Sequence, residues 1–188
     1  MKKALIIVDI QNDFCPGGSL AVHEGDSVVG PVNELTRYFE AQGLPVFFTR
    51  DWHPVRHSSF RDFGGIWPPH CVAETGGAAF HEDMYRPESA EIISKATEVN
   101  SDAYSGFEGT DLGEKLRTRG VDTVVVTGLA TDYCVKNTVL DGLKRGLSVE
   151  VVREAIRAVE VNPGDGEKAI MEMKQAGARF ISLRDIIS

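Results

Sequence analysis

The sequence predicts an α/β protein: an open parallel six-stranded sheet flanked by helices on both faces, a Rossmann-like three-layer arrangement. Two observations carry this. Short apolar runs rich in Val, Ile and Phe alternate with longer polar stretches of helical character, the pattern of strands covered on both faces and joined by crossover helices. One junction also recurs, in which a polar stretch ends, a glycine follows and an apolar run begins: "EAQGLPVFF", "RTRGVDTVVV", "LKRGLSVEVV" and "KQAGARFIS". Gly43, Gly120, Gly146 and Gly177 are therefore expected to close helices in the left-handed conformation.

In chain order, the first strand is residues 4–9, an apolar run closed by Asp9. A helix over 32–42 runs to Gly43 and is followed by a strand at 45–49. The run "EIISK" predicts a strand at 91–95, and a helix follows at 111–119. The most apolar run, "DTVVVTGL", predicts a buried strand at 123–127. A helix at 132–145 begins directly after it, with Cys134 in its first turn. A strand at 148–152, a helix at 164–176 and a last strand at 180–182 complete the order. Residues 50–90 do not fit the alternation. They hold both tryptophans and four of the five histidines, and long irregular loops in compact domains tend to carry function.

The chain is long enough for one domain, read as residues 1–188, with a sizeable core. A net charge of -8 argues against a nucleic-acid surface or an anionic membrane surface. No apolar run approaches the length of a membrane span. The start "MKKALIIVDIQNDF" begins like a signal peptide, but its apolar run meets Asp9 too soon and offers no small-residue cleavage site. A cytoplasmic protein is expected. Three cysteines with no CxxC pair argue against a disulfide scaffold.

Ligands in open α/β sheets bind beyond the carboxyl ends of the strands, and polar residues gather at those ends here. Asp9 follows the first strand and reads equally as a base or as part of an Asx-turn with Asp13. Lys95 ends the third strand and reads as a solvated edge charge or as a cation at the mouth of the sheet. Cys134 sits where exposed N–H groups favour a thiolate, though a free cysteine is often simply core. Asp51 and His53 follow the second strand. Two apart in an extended chain, they point the same way, and His70 could return as a third ligand. Two His and one carboxylate leave open positions, as catalytic metal sites do. His57 or His81 could replace either histidine, and Cys71 adjoins His70. Phe14, Trp52 and Trp67 could line a slot for a flat ring. Cys15 reads as an inert loop residue, and "PGG" at 16–18 is a turn without a phosphate-loop pattern. Thr131 and Asp132 read as helix-capping residues.

The segments "IIVDIQNDF", "TRDWHP", "WPPHCV", "SKATEVNSDAYSGF" and "GLATDYCVKNT" occur in this order over nearly the whole chain. With them the sequence resembles the isochorismatase-like cysteine hydrolases, and within them the metal-containing nicotinamidase (pyrazinamidase) branch. The resemblance implies a catalytic triad of Asp9, Lys95 and Cys134, and a divalent metal on Asp51, His53 and His70, zinc in the first place with iron or manganese as alternatives. It implies a cis Leu129–Ala130 peptide, with the Ala130 and Cys134 N–H groups as an oxyanion hole. It places Phe14 and Trp67 on either side of a pyridine ring, with Leu129 and Ala130 also at the substrate. The implied reaction releases nicotinate and ammonia from nicotinamide through a thioester, in NAD salvage, with pyrazinamide as a further substrate. The implied partner is this small molecule, with no nucleic acid and no membrane, and members of the family assemble as monomers, dimers or larger homo-oligomers. Metal-free relatives acting on vinyl ether, ureido or carbamoyl groups lack the D-x-H plus His set. The chain departs from the family at Ala96, where Gly is usual, at "AETGGA" (73–78), where "QGTPGA" is common, and at "TVLDG" (138–142) in place of "TxxDA". None of these is a catalytic side chain, and the second bears on substrate access near the metal.

Overall fold

A computed structural model describes residues 2–187. Its strands are β1 (Lys3–Val8), β2 (Val46–Asp51), β3 (Glu91–Lys95), β4 (Thr123–Leu129), β5 (Ser148–Arg157) and β6 (Arg179–Ile181). Its helices are α1 (Val29–Ala41), α2 (Leu112–Thr118), α3 (Lys136–Lys144), α4 (Asp165–Gln175) and α5 (Arg184–Ile187). The strands form one sheet in the order β3-β2-β1-β4-β5-β6, every neighbouring pair parallel. The chain winds outward from β1 through β2 and β3, then resumes on the other side of β1 with β4. The winding reverses between β1 and β4, and the carboxyl ends of those two strands open a crevice at that point.

The pleat sorts the side chains into two cores. Leu5, Ile7, Phe48 and Val125 pack with Val32, Leu35 and Phe39 of α1 and Ile186 of α5. Ala4, Ile6, Phe47, Val124 and Val126 pack with Leu112 and Leu116 of α2, Val139 of α3 and Met173 of α4. Residues one apart thus face opposite layers, which is why residues 4–8 of β1 and 124–126 of β4 are unbroken apolar runs rather than alternating ones. Each such aliphatic side chain contributes about 1.5–3 kcal/mol on burial. In α1 the buried positions Val32, Leu35 and Phe39 recur at helical spacing. Pro31 lies in the first turn, where a missing N–H leaves no intrahelical bond unmade.

The expected layer order and strand sequence are all present, and the four junction glycines adopt φ of 63, 66, 81 and 110°. The differences are local. β1 ends at Val8, because Asp9 turns into the left-handed region at φ 48°. β2 continues to Asp51, so that residue lies inside the ladder opposite Lys95 and not beyond it. β5 is twice the expected length. Its pairing with β4 jumps from Val126↔Val151 to Gly128↔Ile156, so extra residues of β5 bulge at that point. The stretch expected as one helix from 132 starts with a single π-helical turn, Thr131–Val135, before α3. The helix α5, four residues long, is too short to show a period in sequence. No helix among the described residues is long and apolar enough to cross a membrane, and the three cysteines are free thiols.

Candidate active site

Strand register brings the polar strand ends into one row. Val8 pairs with Thr49 on one side and Gly128 on the other, and Asp51 pairs with Lys95. Asp9, Thr49, Asp51, Lys95 and the Leu129–Ala130 peptide therefore share the carboxyl edge of the sheet. The peptide is cis. The π-turn that follows it carries Cys134 back over this edge.

The Lys95 ammonium is the hub. Its Nζ lies 2.9 Å from Asp9 Oδ2, makes a close ion pair with Asp51 Oδ1, and stands 3.3 Å from the Ala103 carbonyl and 3.5 Å from Cys134 Sγ. Thr49 Oγ1 donates to Asp9 Oδ1 at 2.6 Å. Asp9 Oδ2, although beside the ammonium, is in line with no hydrogen-bond donor. Gln11 clamps the end of β2: its Oε1 accepts from Asp51 N–H at 2.8 Å and its Nε2 donates to the Asp51 carbonyl at 2.8 Å.

Burial and this single cation set the electrostatics. Burial pushes the Asp9 carboxyl up, against the pull of Lys95 and with the help of Asp51. At Asp51 burial pushes the same way, but Lys95 and then His53 outweigh it and hold the group below the usual carboxylate range. Burial alone would lower Lys95, yet Asp51 and Asp9 raise it well above its ordinary value. Burial pushes the Cys134 thiol well up; Lys95 opposes this, and Asp9 and Asp51 reinforce it. The resting state is a protonated thiol, a permanent ammonium and an adjacent carboxylate of raised basicity.

One ligand atom each from Asp51, His53 and His70 lies within 4.8 Å of the others. Both imidazoles rest by Nδ1 on a backbone carbonyl, His53 on Ala96 at 3.2 Å and His70 on Pro68 at 2.8 Å. A carbonyl only accepts, so each Nδ1 is the donor and each Nε2 is the nitrogen left to meet a metal. His53 Nε2 is buried and meets no hydrogen-bond donor. Anchored Nδ1 groups and a convergent carboxylate are what a divalent ion with open positions requires, so the donors fit such an ion. Asp9, Asp51 and Cys134 also cluster, but there the Lys95 ammonium already supplies the cation.

A small cavity opens over these groups, lined by Phe14, Trp67, Leu129 and Ala130 together with Asp51, His70 and Cys134. Of the expected site residues, Asp9, Lys95 and His53 do not line the cavity: Asp9 and Lys95 are buried, Lys95 against Cys134 and Asp51, and His53 lies 3.6 Å from Asp51. Tyr104, Tyr133, Leu20 and Val159 complete the wall and were not anticipated. Trp67 Nε1 donates to the Tyr104 hydroxyl at 3.0 Å, and the Trp67 and Tyr133 rings meet edge-on at 5.2 Å. Tyr104 lies within "SDAYSGF" and Tyr133 beside Cys134, so proximity to those motifs was the available signal.

Several expectations need correction. Trp52 is not in the slot; the Arg50 guanidinium lies over it at 3.5 Å. Cys71 stands outside the donor cluster, and its N–H is taken by Asp13. His57 does not offer a free nitrogen: Nδ1 meets Ser59 Oγ at 2.7 Å and Nε2 the Ser101 carbonyl at 3.2 Å, while its ring stacks on His53. His81 lies by Asp83, away from the cluster. Asp132 caps no helix end, its carboxylate accepting instead from Val159 and Glu160 N–H, both at 2.9 Å. Cys15 is buried, and burial followed by the Asp26 charge pushes its thiol up to about 11, in keeping with an inert residue.

Known proteins resemble this chain over nearly their whole length. The nicotinamidase of Escherichia coli strain K12 is 40% identical over 204 residues, covering 97% of this chain and 96% of its own. The crystal structure of a Pyrococcus horikoshii pyrazinamidase in complex with zinc superposes with a TM-score of 0.93 at 50% identity, covering 97% of this chain and 99% of that one. A protein from L. infantum in complex with nicotinate superposes with a TM-score of 0.87 at 33% identity, covering 96% and 92%. The isochorismatase domain matches residues 3–185, which takes in every strand and every side chain of the cavity, and the chain therefore belongs to the isochorismatase family.

Proposed function

We propose that the chain, read as one hydrolase domain over residues 1–188, deamidates nicotinamide to nicotinate and ammonia and accepts pyrazinamide as well. One observation carries the reading. A thiol in the wall of an aromatic-lined cavity has an ammonium and a basic carboxylate buried against it, and three metal donors converge beside them. The names of the E. coli relative and of the zinc-bound P. horikoshii structure support the substrate and the metal. Asp51, His53 and His70 would hold one divalent ion per chain, zinc before iron or manganese, and that ion supplies a Lewis-acid position to which a pyridine nitrogen can be directed.

The remaining steps belong to the chain's own side chains. Phe14 and Trp67 hold the ring between them, with Leu129 and Ala130 beneath the amide. Cys134 is the nucleophile. Asp9 takes the thiol proton on Oδ2, the oxygen that the Thr49 hydroxyl leaves free. Lys95, 3.5 Å from Sγ, stabilises the thiolate as it forms. The sulfur adds to the amide carbon, and the Ala130 and Cys134 N–H groups receive the negative oxygen. Asp9 hands its proton to the departing amine, the C–N bond breaks, and ammonia leaves a thioester on Cys134. Asp9 then removes a proton from water, the hydroxide adds to the thioester carbon, and the C–S bond breaks. The proton returns to sulfur as nicotinate leaves. We place this reaction in the cytoplasm, in pyridine-nucleotide salvage.

The test is ammonia release from nicotinamide, pyrazinamide, aliphatic amides and N-carbamoyl compounds by the zinc-loaded protein and its Cys134→Ala variant. Turnover of the two ring amides is expected, together with its loss in the variant while nicotinamide still binds by calorimetry. Hydrolysis confined to aliphatic or carbamoyl substrates would overturn the substrate, and ammonia release by the variant would overturn the nucleophile.

A further inference from the structure

The turn after β1 carries a second aspartate whose role the proposed chemistry leaves open. Asp13 lies in the 3-10 turn Asn12–Phe14, and its carboxylate makes no short-range Asx-turn. Oδ2 accepts from the Cys71 N–H at 2.7 Å, fifty-eight residues away, and Oδ1 accepts from the Ser19 N–H at 3.3 Å. The first bond falls on the peptide that joins His70 to Cys71. Cys71 takes φ 45°, a left-handed conformation that a residue with a side chain rarely adopts unaided.

From that peptide the bonds run on to the other imidazole. The Cys71 carbonyl accepts from His53 N–H at 3.0 Å, and the His53 carbonyl accepts from Ala73 N–H at 2.8 Å. On the far side Asp13 N–H donates to the Gly77 carbonyl at 3.0 Å. The next residue, Phe14, places its ring 5.6 Å from that of His70. One carboxylate thus ties the edge of the sheet to the short segment that sets both histidines. Space for it is made at Gly77, where an added Cβ would fall 2.2 Å from Asp13 Oδ2.

We infer that Asp13 is a positioning residue for the metal donors: by holding the His70–Cys71 peptide it fixes the direction of His70 and, through the Cys71 carbonyl, of His53. The inference rests on the reading of Asp51, His53 and His70 as metal ligands. A charge-assisted bond to a backbone N–H is a strong and directional restraint, and loss of such outer contacts weakens metal binding by about 10–100-fold.

The experiment measures zinc dissociation constants by competition with a chromophoric chelator for the unmodified chain and for D13A, D13N and G77A. D13A is expected to bind zinc about 10–100-fold more weakly, with ammonia release recovering in excess zinc, which a general loss of folding would not allow. D13N keeps one oxygen for the Cys71 N–H and should fall between. G77A keeps the carboxylate but displaces it, and should also weaken binding; with D13N it decides the matter if D13A does not fold. Unchanged zinc affinity in D13N and G77A overturns the role of Asp13 while leaving the metal site in place. An unmodified chain that binds no zinc overturns both this inference and the metal reading beneath it.

Discussion

Lys95 Nζ stands 3.5 Å from Cys134 Sγ at the foot of the cavity, and the lysine is only 1% exposed. The same ammonium neutralises Asp9 and Asp51. Replacing Lys95 by Met keeps the length and removes the charge, so two buried carboxylates lose their counter-ion. Breaking a buried pair in this way costs about 3–5 kcal/mol. Turnover should fall by at least about 10³-fold, because the thiolate loses its cation and Asp9 its ionised form. Urea denaturation and ammonia release measure the two effects. A variant as stable and as active as the parent would remove Lys95 from the centre of the site.

Metal removal should abolish turnover and leave the fold standing, because neither core contains Asp51, His53 or His70. Dialysis against a strong chelator is expected to stop ammonia release, and added zinc to restore it. Elemental analysis should find about one ion per chain in the active protein and a much smaller amount in His53→Ala, since three ligands leave little affinity to spare. Full activity in a metal-free preparation would rule the site out as drawn.

How much of this was legible beforehand follows from the range of the interactions involved. The glycine junctions were readable because a left-handed helix end is a local requirement, met by Gly43 and its three counterparts within two or three residues. Asp9, Lys95 and Cys134 were readable as strand-end residues, and alone each was ambiguous; parallel topology and register supplied the convergence. The second wall of the cavity was not readable. Tyr104 and Tyr133 meet Trp67 only after the long loop folds back, and nothing local to either marks that contact. Trp52 failed for a related reason: its stacking partner, Arg50, lies on the same strand edge and competes with the cavity for the ring. The capping reading of Asp132 was sound local chemistry overruled by two N–H groups nearly thirty residues away.

Two glycines of the same sign of φ should respond differently to substitution. Gly128, at φ 108°, sits where β4 runs beside β1, and an added Cβ would fall 2.0 Å from the Val8 carbonyl oxygen. That backbone cannot yield without parting the two central strands, so Gly128→Ala should cost roughly 3 kcal/mol or more. Gly43, at φ 63°, has no atom within 4 Å of the added Cβ, and Gly43→Ala should cost only about 1–2 kcal/mol. Chemical denaturation midpoints decide it, and equal losses at both positions would show that close approach to Val8 is not what selects glycine at 128.

Asp132 links the turn that carries Cys134 to the opposite wall of the cavity. Its two oxygens accept from the N–H groups of Val159 and Glu160, and Val159 lines the cavity. Glu160 in turn spends its own carboxylate on Gly164 and Gly166 N–H at the start of α4, at 2.6 and 2.9 Å, so the wall is fastened from both ends. Asp132→Ala leaves two N–H groups without their partner, a loss of about 1–3 kcal/mol for each that remains shielded from water. The side chain touches none of the reacting groups, so the main kinetic effect should be on how the ring is held: KM rising by about three- to tenfold with kcat reduced much less. Asp132→Asn retains one acceptor and turns an amide N–H₂ toward the second donor, so it should recover no more than part of the loss. Steady-state kinetics on nicotinamide separate the outcomes. A fall in kcat with KM unchanged would mean that Asp132 acts on the Cys134 turn itself and not on the wall it braces.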